Sequence, residues 1–501
     1  MRSWPEGGRP PEPVLAVGDI QGNVLPGFGS PYQALLFLEV LSPDPAAAWL
    51  RSQPITTMAD VLWAREGRGH PRLMASGHWT NLALSYRGLG KLRRDADQLT
   101  DLPFKQGMDR RSALLGDPTS PDAAGSCRNW VVGGPGRRGF DIMVLLAADE
   151  PAELSAAVDK LRRNPPSGLR IVFEQQGAEL PAPMTGREPF GFCDNISQPG
   201  VRGRLSQGQG DFLTPRENPN DPDQGRPGQN LVWPGEFVFG YPGQDPLDTS
   251  RPGLLANGGP SWTRNGSLLV VRRLRQDVAG FHAFLQSASA DLATRHPMLS
   301  GLTPERLGAK LMGRWASGAP VMTCPDADRP AVGRDTRVNN DFTYLAAAGG
   351  SGDPLGLRCP RAAHIRRAYP RDAATSRLTK ATIETHRLLR RSIPFTEAAQ
   401  PSPERGLLFL AYQTSIERQF EFVSRAWLNN PHVHDTNDGH DPIAGQSFGV
   451  GGDRARSFSI AVGSPEVGIG QVALSLPTDW VVPTGGGYLL VPSVSALRTL
   501  G

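Results

Sequence analysis

The sequence predicts an α+β chain of two tandem units, each an antiparallel sheet with helices on one face, joined and interrupted by long loops. Three observations carry that prediction. Short apolar, strand-like runs followed by helical patterns occur repeatedly, and they fall into two matching pairs. The 58 glycines and 47 prolines among 501 residues demand many turns, yet fall short of low-complexity composition.

The first pair is ALLFLEVLSPDPAAAWL, from Ala34, and SLLVVRRLRQDVAGFHAFL, from Ser267. At constant spacing Leu35 and Leu36 fall on Leu268 and Leu269, and Asp44, a plausible helix cap, falls on Asp277. The second pair is DIMVLLAADEPAELSAAVDKL, from Asp141, and GLLFLAYQTSIERQFEFVSRAW, from Gly406, each a buried strand with an amphipathic helix behind it. A further strand closes each half, LRIVFEQ near Leu169 and GGYLLVPS from Gly486. Two β-α-β units per half make the ferredoxin-like arrangement, and a duplicated pair packs its sheets together. The expected divisions are a tail over 1–15, a first ferredoxin-like unit over 16–205, a Gly/Pro-rich connection over 206–265 and a second unit over 266–501.

Composition bounds the function. With 53 Lys+Arg against 49 Asp+Glu the net charge is +4 and no long single-sign run occurs, which excludes an electrostatics-led nucleic-acid binder. The start, MRSWPEGGRPPEPVLAVG, has no secretory apolar core, and no run is long and apolar enough to span a membrane, so the expectation is a soluble, cytoplasmic protein. Cys127, Cys193, Cys324 and Cys359 are scattered without a CxxC pair and read as free thiols.

Three segments carry residues suited to chemistry. RCPRAAHIRRAYPRD holds His364 in a short helical run between Pro360 and Pro370, surrounded by arginines. Imidazole is an axial haem ligand in several protein classes, and nearby arginines pair with the acidic propionates; Arg366 is the candidate for that contact. REPFGFCDNISQPGVRG places Asp194 in a turn behind an aromatic-glycine run, where a positioned carboxylate can act as acid or base, although Asp-Asn is also a common turn pair. THRLLRRSIPF reads as a short helical run ending in paired arginines, of which Arg390 can point a fixed positive charge into a pocket or simply cap a helix C-terminus. PHVHDTNDGHD offers a competing divalent-metal reading through His432, His434, Asp435 and His440, and the Cys-Pro pairs at Cys324 and Cys359 offer a thiolate.

Taken together and in order, GDIQGNVLPGF, ALLFLEV, EPFGFCDN, GEFVFGYP, NGSLLVVRRLRQDVAGF, AKLMGRWASGAPV, HIRRAYPRD, HRLLRRSIPF, LAYQTSIERQFEF and GGYLLVPSVSAL resemble the dye-decolourising peroxidases across nearly the whole chain. The resemblance implies one haem b per chain, held in the second unit by His364 as proximal iron ligand, with Asp194 as distal carboxylate and Arg390 as distal arginine. It also implies an acidic partner for the imidazole, with Glu417 the matching position and Glu421 the alternative. The implied reaction reduces hydrogen peroxide and oxidises a small organic reductant, such as a dye or phenol, in one-electron steps. Because the base is a carboxylate, an acidic optimum follows.

Two departures bear on that expectation. Asn195 stands where the family's loop has glycine, so the alternative is a haem-binding or sensing protein with reduced or no turnover; Asn is the non-glycine residue best suited to positive φ. Tyr369 stands where the family usually has Asn, adding an oxidisable phenol. The reducing substrate and the oligomeric state are left open by the sequence.

Overall fold

Alternation of side chains along nine strands sets the architecture. In the computed structural model, which describes residues 10–67, 77–135, 139–345, 352–373, 378–398, 403–433, 437–447, 454–464 and 468–500, the first half contributes β1 (Tyr32–Val40), β2 (Trp79–Ser85), β3 (Ile142–Ala148) and β4 (Leu169–Ala178). The second contributes β5 (Ser267–Gln276), β6 (Leu389–Arg390), β7 (Ile393–Glu397), β8 (Glu404–Gln413) and β9 (Val481–Val491). The first half runs β2-β3-β1-β4 and the second β6-β8-β5-β9, with β7 also on β8, which is the same ferredoxin-like order twice.

The two sheets do more than stack. Leu489 and Leu490 of β9 pair with Ser85 and Leu84 of β2, so the strands form one 9-stranded antiparallel sheet. At the other end Gly177 of β4 lies so close to β7 that a Cβ would sit 2.6 Å from Ile393 Cγ2. The sheet therefore curls until its ends touch, which covers edges that would otherwise be left open. One set of alternating residues, Leu35, Phe37, Leu145, Leu269, Val271, Leu408, Leu410 and Leu489, fills the enclosed core. The opposite set, including Leu36, Leu146, Leu268 and Leu490, is covered from outside by helices.

Helix α1 (Pro43–Ser52) follows β1, and α2 (Pro151–Arg163) follows β3, burying Leu154, Ala157 and Val158 at helical spacing. Helix α3 (Val278–Arg295) is capped by Asp277, whose carboxylate accepts the Gly280 N–H. Asp44 is not a cap: Ser42 holds that position and Asp44 falls in the first turn, where its charge suits the helix dipole. The helix behind β8 is wound with i→i+5 hydrogen bonds over Glu417–Glu421 and Val423–Leu428.

A second correction concerns THRLLRRSIPF, which is extended rather than helical. Leu389 and Arg390 pair with Tyr412 and Ala411, and Ile393 to Glu397 continue along the same strand. Its apolar residues answer to the β8 edge, a partner contributed from elsewhere in the chain, and tertiary pairing overrides local propensity.

Candidate active site

On β5, Arg272, Leu274 and Gln276 share the parity of Leu268 and Val270, and so face outward; Leu407 and Phe409 do the same on β8. Over this outer face lies a cavity with about 1750 Å³ of open space, part of it continuous with solvent. Met312, Ile365, Leu388, Phe420, Val423 and Ile443 give it apolar walls.

His364 begins α4 (His364–Ala368) and reaches the cavity, with 23% of its side chain exposed. Its Nδ1 lies 2.8 Å from Asp441 Oδ2. Asp441 is wholly buried, and its other oxygen accepts the backbone N–H groups of Ile443, Ala444 and Gly445. Burial acts against the imidazolium, yet the charge and hydrogen bond of Asp441 prevail and raise the His364 pKa above its ordinary value. With Nδ1 engaged, Nε2 is the ring nitrogen available to a ligand.

The imidazole's acidic partner is thus Asp441, and neither glutamate expected from sequence. Glu417 is exposed on the first turn of the π-wound helix. Glu421 is buried but committed elsewhere, to Arg111 at 2.5 Å and to the Tyr488 hydroxyl at 2.9 Å. Arg366 does not face the cavity either. It is buried over the Tyr344 ring and donates to the Cys359 and Asp353 carbonyls, because the helix turns it away from the His364 side.

Asp194 and Arg390 meet in the same cavity, Arg390 Nη1 lying 3.5 Å from Asp194 Oδ1. Asn195 adopts φ +63°, so the loop keeps the left-handed residue that the family's glycine supplies. Its N–H donates to Asp194 Oδ1 at 2.6 Å, and its side-chain oxygen accepts from Gln198 Nε2 at 2.9 Å. Gln198 also donates to the Arg390 carbonyl and accepts the Arg390 N–H, tying loop to strand. A second, outer cleft is lined by Asp194, Asn195, Arg390, Ser392 and Glu188 as well, so this pair stands where the cavity meets solvent.

Two residues in the lining were passed over by the sequence reading. Arg314, in AKLMGRWASGAPV, is 3% exposed and among the described residues bonds only to neutral oxygens, those of Gly318, Asn339, Ser197 and Asn340. Burial and nearby Arg371 push its pKa down to about 9, the mark of a cation without a counter-ion. Glu188 is buried beside the Asp194 loop, and burial raises its pKa to about 7 against the hydrogen bonds from Phe190, Phe192 and Gln276. The periodicity of neither segment distinguishes such a residue from an ordinary polar one.

The competing thiolate reading fares poorly. Burial pushes the Cys359 thiol up to about 12, which keeps it protonated, and neither Cys359 nor Cys324 lines the cavity. His434 and Asp435 lie outside the described residues; among the described residues no group of three or more His, Cys, Asp or Glu is arranged to hold a metal ion.

Comparison with known proteins places this geometry. Residues 19–181 match the DyP dimeric alpha+beta barrel domain and residues 330–451 the C-terminal domain of Dyp-type peroxidases. A dye-decolorizing peroxidase of Mycena epipterygia is 32% identical over 517 residues, covering 97% of this chain and 87% of that one. The chain belongs to the dye-decolourising peroxidase family. As a dye-decolourising peroxidase it also resembles the multifunctional dye peroxidase of an Amycolatopsis species, 29% identical over 98% of this chain and 97% of that one. Among solved structures, an ancestral D-type dye-decolorizing peroxidase superposes with a TM-score of 0.76 at 29% identity, covering 97% of this chain and 99% of that chain. A dye-decolorizing peroxidase in complex with 2,6-dimethoxyphenol gives 0.74 at 26% identity, with the same coverage.

The lining fits a haem. One imidazole oriented by a buried carboxylate, apolar walls for a macrocycle and a buried cation that among the described residues bonds only to neutral oxygens would suit the iron, the ring and an acidic propionate respectively. Among the described residues no helix is long and apolar enough to cross a membrane.

Proposed function

We propose that this peroxidase is haem-dependent, with His364 as the axial ligand through Nε2, Asp441 as the residue that orients it, and Arg314 as a propionate contact. The observation that carries the reading is the pairing of His364 Nδ1 with Asp441 on the same cavity that holds Asp194 beside Arg390. A bound haem b supplies the redox-active iron that accepts and returns electrons. Asp441 fixes the imidazole tautomer and increases its electron donation, which favours O–O cleavage.

Asp194 holds and moves one proton, taking it from one oxygen of hydrogen peroxide and delivering it to the other, which leaves as water. Arg390 opposes the negative charge that builds on the departing oxygen, a role suited to a guanidinium held beside Asp194. The outer cleft admits a molecule as small as peroxide directly onto this pair. The reductant is an aromatic electron donor of the dye or phenol class, in keeping with the relatives' names and with the relative bound to 2,6-dimethoxyphenol.

The alternative, a haem-binding protein without turnover, rested on Asn195. Its left-handed backbone and its bond to Gln198 preserve the loop, and so supply no reason for lost activity. An ultraviolet-visible spectrum of the haem-loaded protein before and after one equivalent of hydrogen peroxide tests the proposal. A spectral change reversed by a phenol or dye is expected; an unchanged spectrum supports the binding protein, and a protein that takes up no haem overturns the reading.

A further inference from the structure

Tyr369 lines the same cavity as His364, and its phenol is engaged in a way that a merely space-filling tyrosine does not require. The hydroxyl donates to Glu384 Oε1 and accepts from Asn230 Nδ2 at 2.8 Å. Asn230 donates to the same carboxylate oxygen at 2.8 Å, and Arg387 Nη1 holds the other at 3.0 Å. Glu384 is 1% exposed, so this carboxylate is buried away from bulk water. The Arg387 guanidinium lies 3.7 Å above the phenol ring and that of Arg371 5.4 Å from it.

These contacts bear on oxidation chemistry. A phenol that loses an electron becomes a strong acid, and two guanidiniums against its ring make the charged radical still less favourable. Electron loss is feasible only if the proton departs with it, to a base already in hydrogen-bond contact. Glu384 is that base, at the hydroxyl itself. Burial and the charge of Glu384 also hold the resting phenol well above its ordinary pKa, so the proton is in place before oxidation.

We infer that Tyr369 is an internal redox residue of this peroxidase, giving one electron to the oxidised site while its hydroxyl proton crosses to Glu384 Oε1. The inference rests on the haem-peroxidase reading above. One hydrogen peroxide, with two electrons and two protons, yields two waters; Tyr369 supplies one of those electrons and becomes a neutral phenoxyl radical beside a neutral Glu384. A reductant A–H then restores the resting state. Its electron and the Glu384 proton reform the phenol, leaving A• and one proton released to solvent.

The test is electron paramagnetic resonance on haem-loaded protein, freeze-quenched after one equivalent of hydrogen peroxide without reductant. Wild type should give a tyrosyl signal whose hyperfine splitting collapses on ring-deuterated tyrosine. Tyr369→Phe and Glu384→Gln should each lower its yield at least tenfold while the haem spectrum still responds to peroxide. In wild type, repeated peroxide without reductant should also leave oxidative modification on the Ala368–Arg371 peptide, a readout that stands even if a variant folds badly. An equal signal in Tyr369→Phe, or a haem spectrum that responds with no tyrosyl signal, overturns the role of Tyr369 alone. A haem spectrum indifferent to peroxide overturns the peroxidase reading and this inference with it.

Discussion

Asp441 Oδ2 lies 2.8 Å from Nδ1 of His364, across 77 residues of sequence, and that contact determines which nitrogen the histidine can offer. Asp441→Asn would keep the backbone bonds at Oδ1 but present an N–H to Nδ1, forcing the proton to Nε2 and blocking ligation. The expected result is a loss of roughly 10–100-fold in haem affinity on hemin titration, as for other partners that orient a ligating histidine. His364→Ala should abolish the ligand altogether. Wild-type affinity and spectrum in Asp441→Asn would remove Asp441 from this role.

Glu421 provides the contrast. Replacing it with Gln strips the counter-charge from buried Arg111, and should cost about 3–5 kcal/mol in chemical denaturation. Haem affinity should be untouched. A large drop in affinity at unchanged stability would return Glu421 to the site.

For the distal pair, Asp194→Asn should slow the reaction with peroxide about 10²–10⁴-fold in stopped-flow measurements, the usual worth of a positioned acid or base. Arg390→Leu should also slow it, and Arg390→Lys should recover part of the loss by restoring the charge without the fork. Equal rates in wild type and Asp194→Asn would assign the proton transfer elsewhere.

Asn195 sits at φ +63°, a conformation costing most residues about 1–2 kcal/mol. Asn195→Ala should therefore destabilise the protein by about that amount in thermal or denaturant unfolding, whereas Asn195→Gly should be tolerated. If alanine is as stable as glycine at this position, the loop is not strained as the backbone indicates.

Glu188 has a folded pKa of about 7, raised above its unfolded value near 4.5, so the folded chain holds the proton more tightly between those values. Its contribution to stability is complete below about pH 4.5 and is lost as pH rises through about 7. Between pH 5 and 8 the stability of wild type relative to Glu188→Gln should fall by about 2.5 kcal/mol. A pH-independent difference would show that Glu188 is already ionised when folded.

Much of the fold was legible in the sequence because strands buried on both faces and amphipathic helices leave periodic patterns. Leu35 and Leu36 matched Leu268 and Leu269 in sequence, and β1 and β5 prove to be the first strands of equivalent units. His364, Asp194 and Arg390, singled out from three short motifs, converge on one cavity. The left-handed backbone of Asn195 was expected from the glycine of the family's loop, a conformation that Asn tolerates.

What the sequence left undecided depended on partners brought from elsewhere in the chain. Arg390 lies on a strand because β8 offers an edge, and a local window does not contain that edge. Asp441, at the end of a polar segment, carries no periodic mark of its role; Glu417 and Glu421 lay nearer the motif, but one faces solvent and the other neutralises Arg111. Residue types and spacing determine which side chains are available for chemistry. The choice of which carboxylate touches the imidazole, and the placing of Arg314 among neutral oxygens on the cavity wall, was made by tertiary packing, since hydrogen bonds act over a few ångströms of space whatever the distance along the chain.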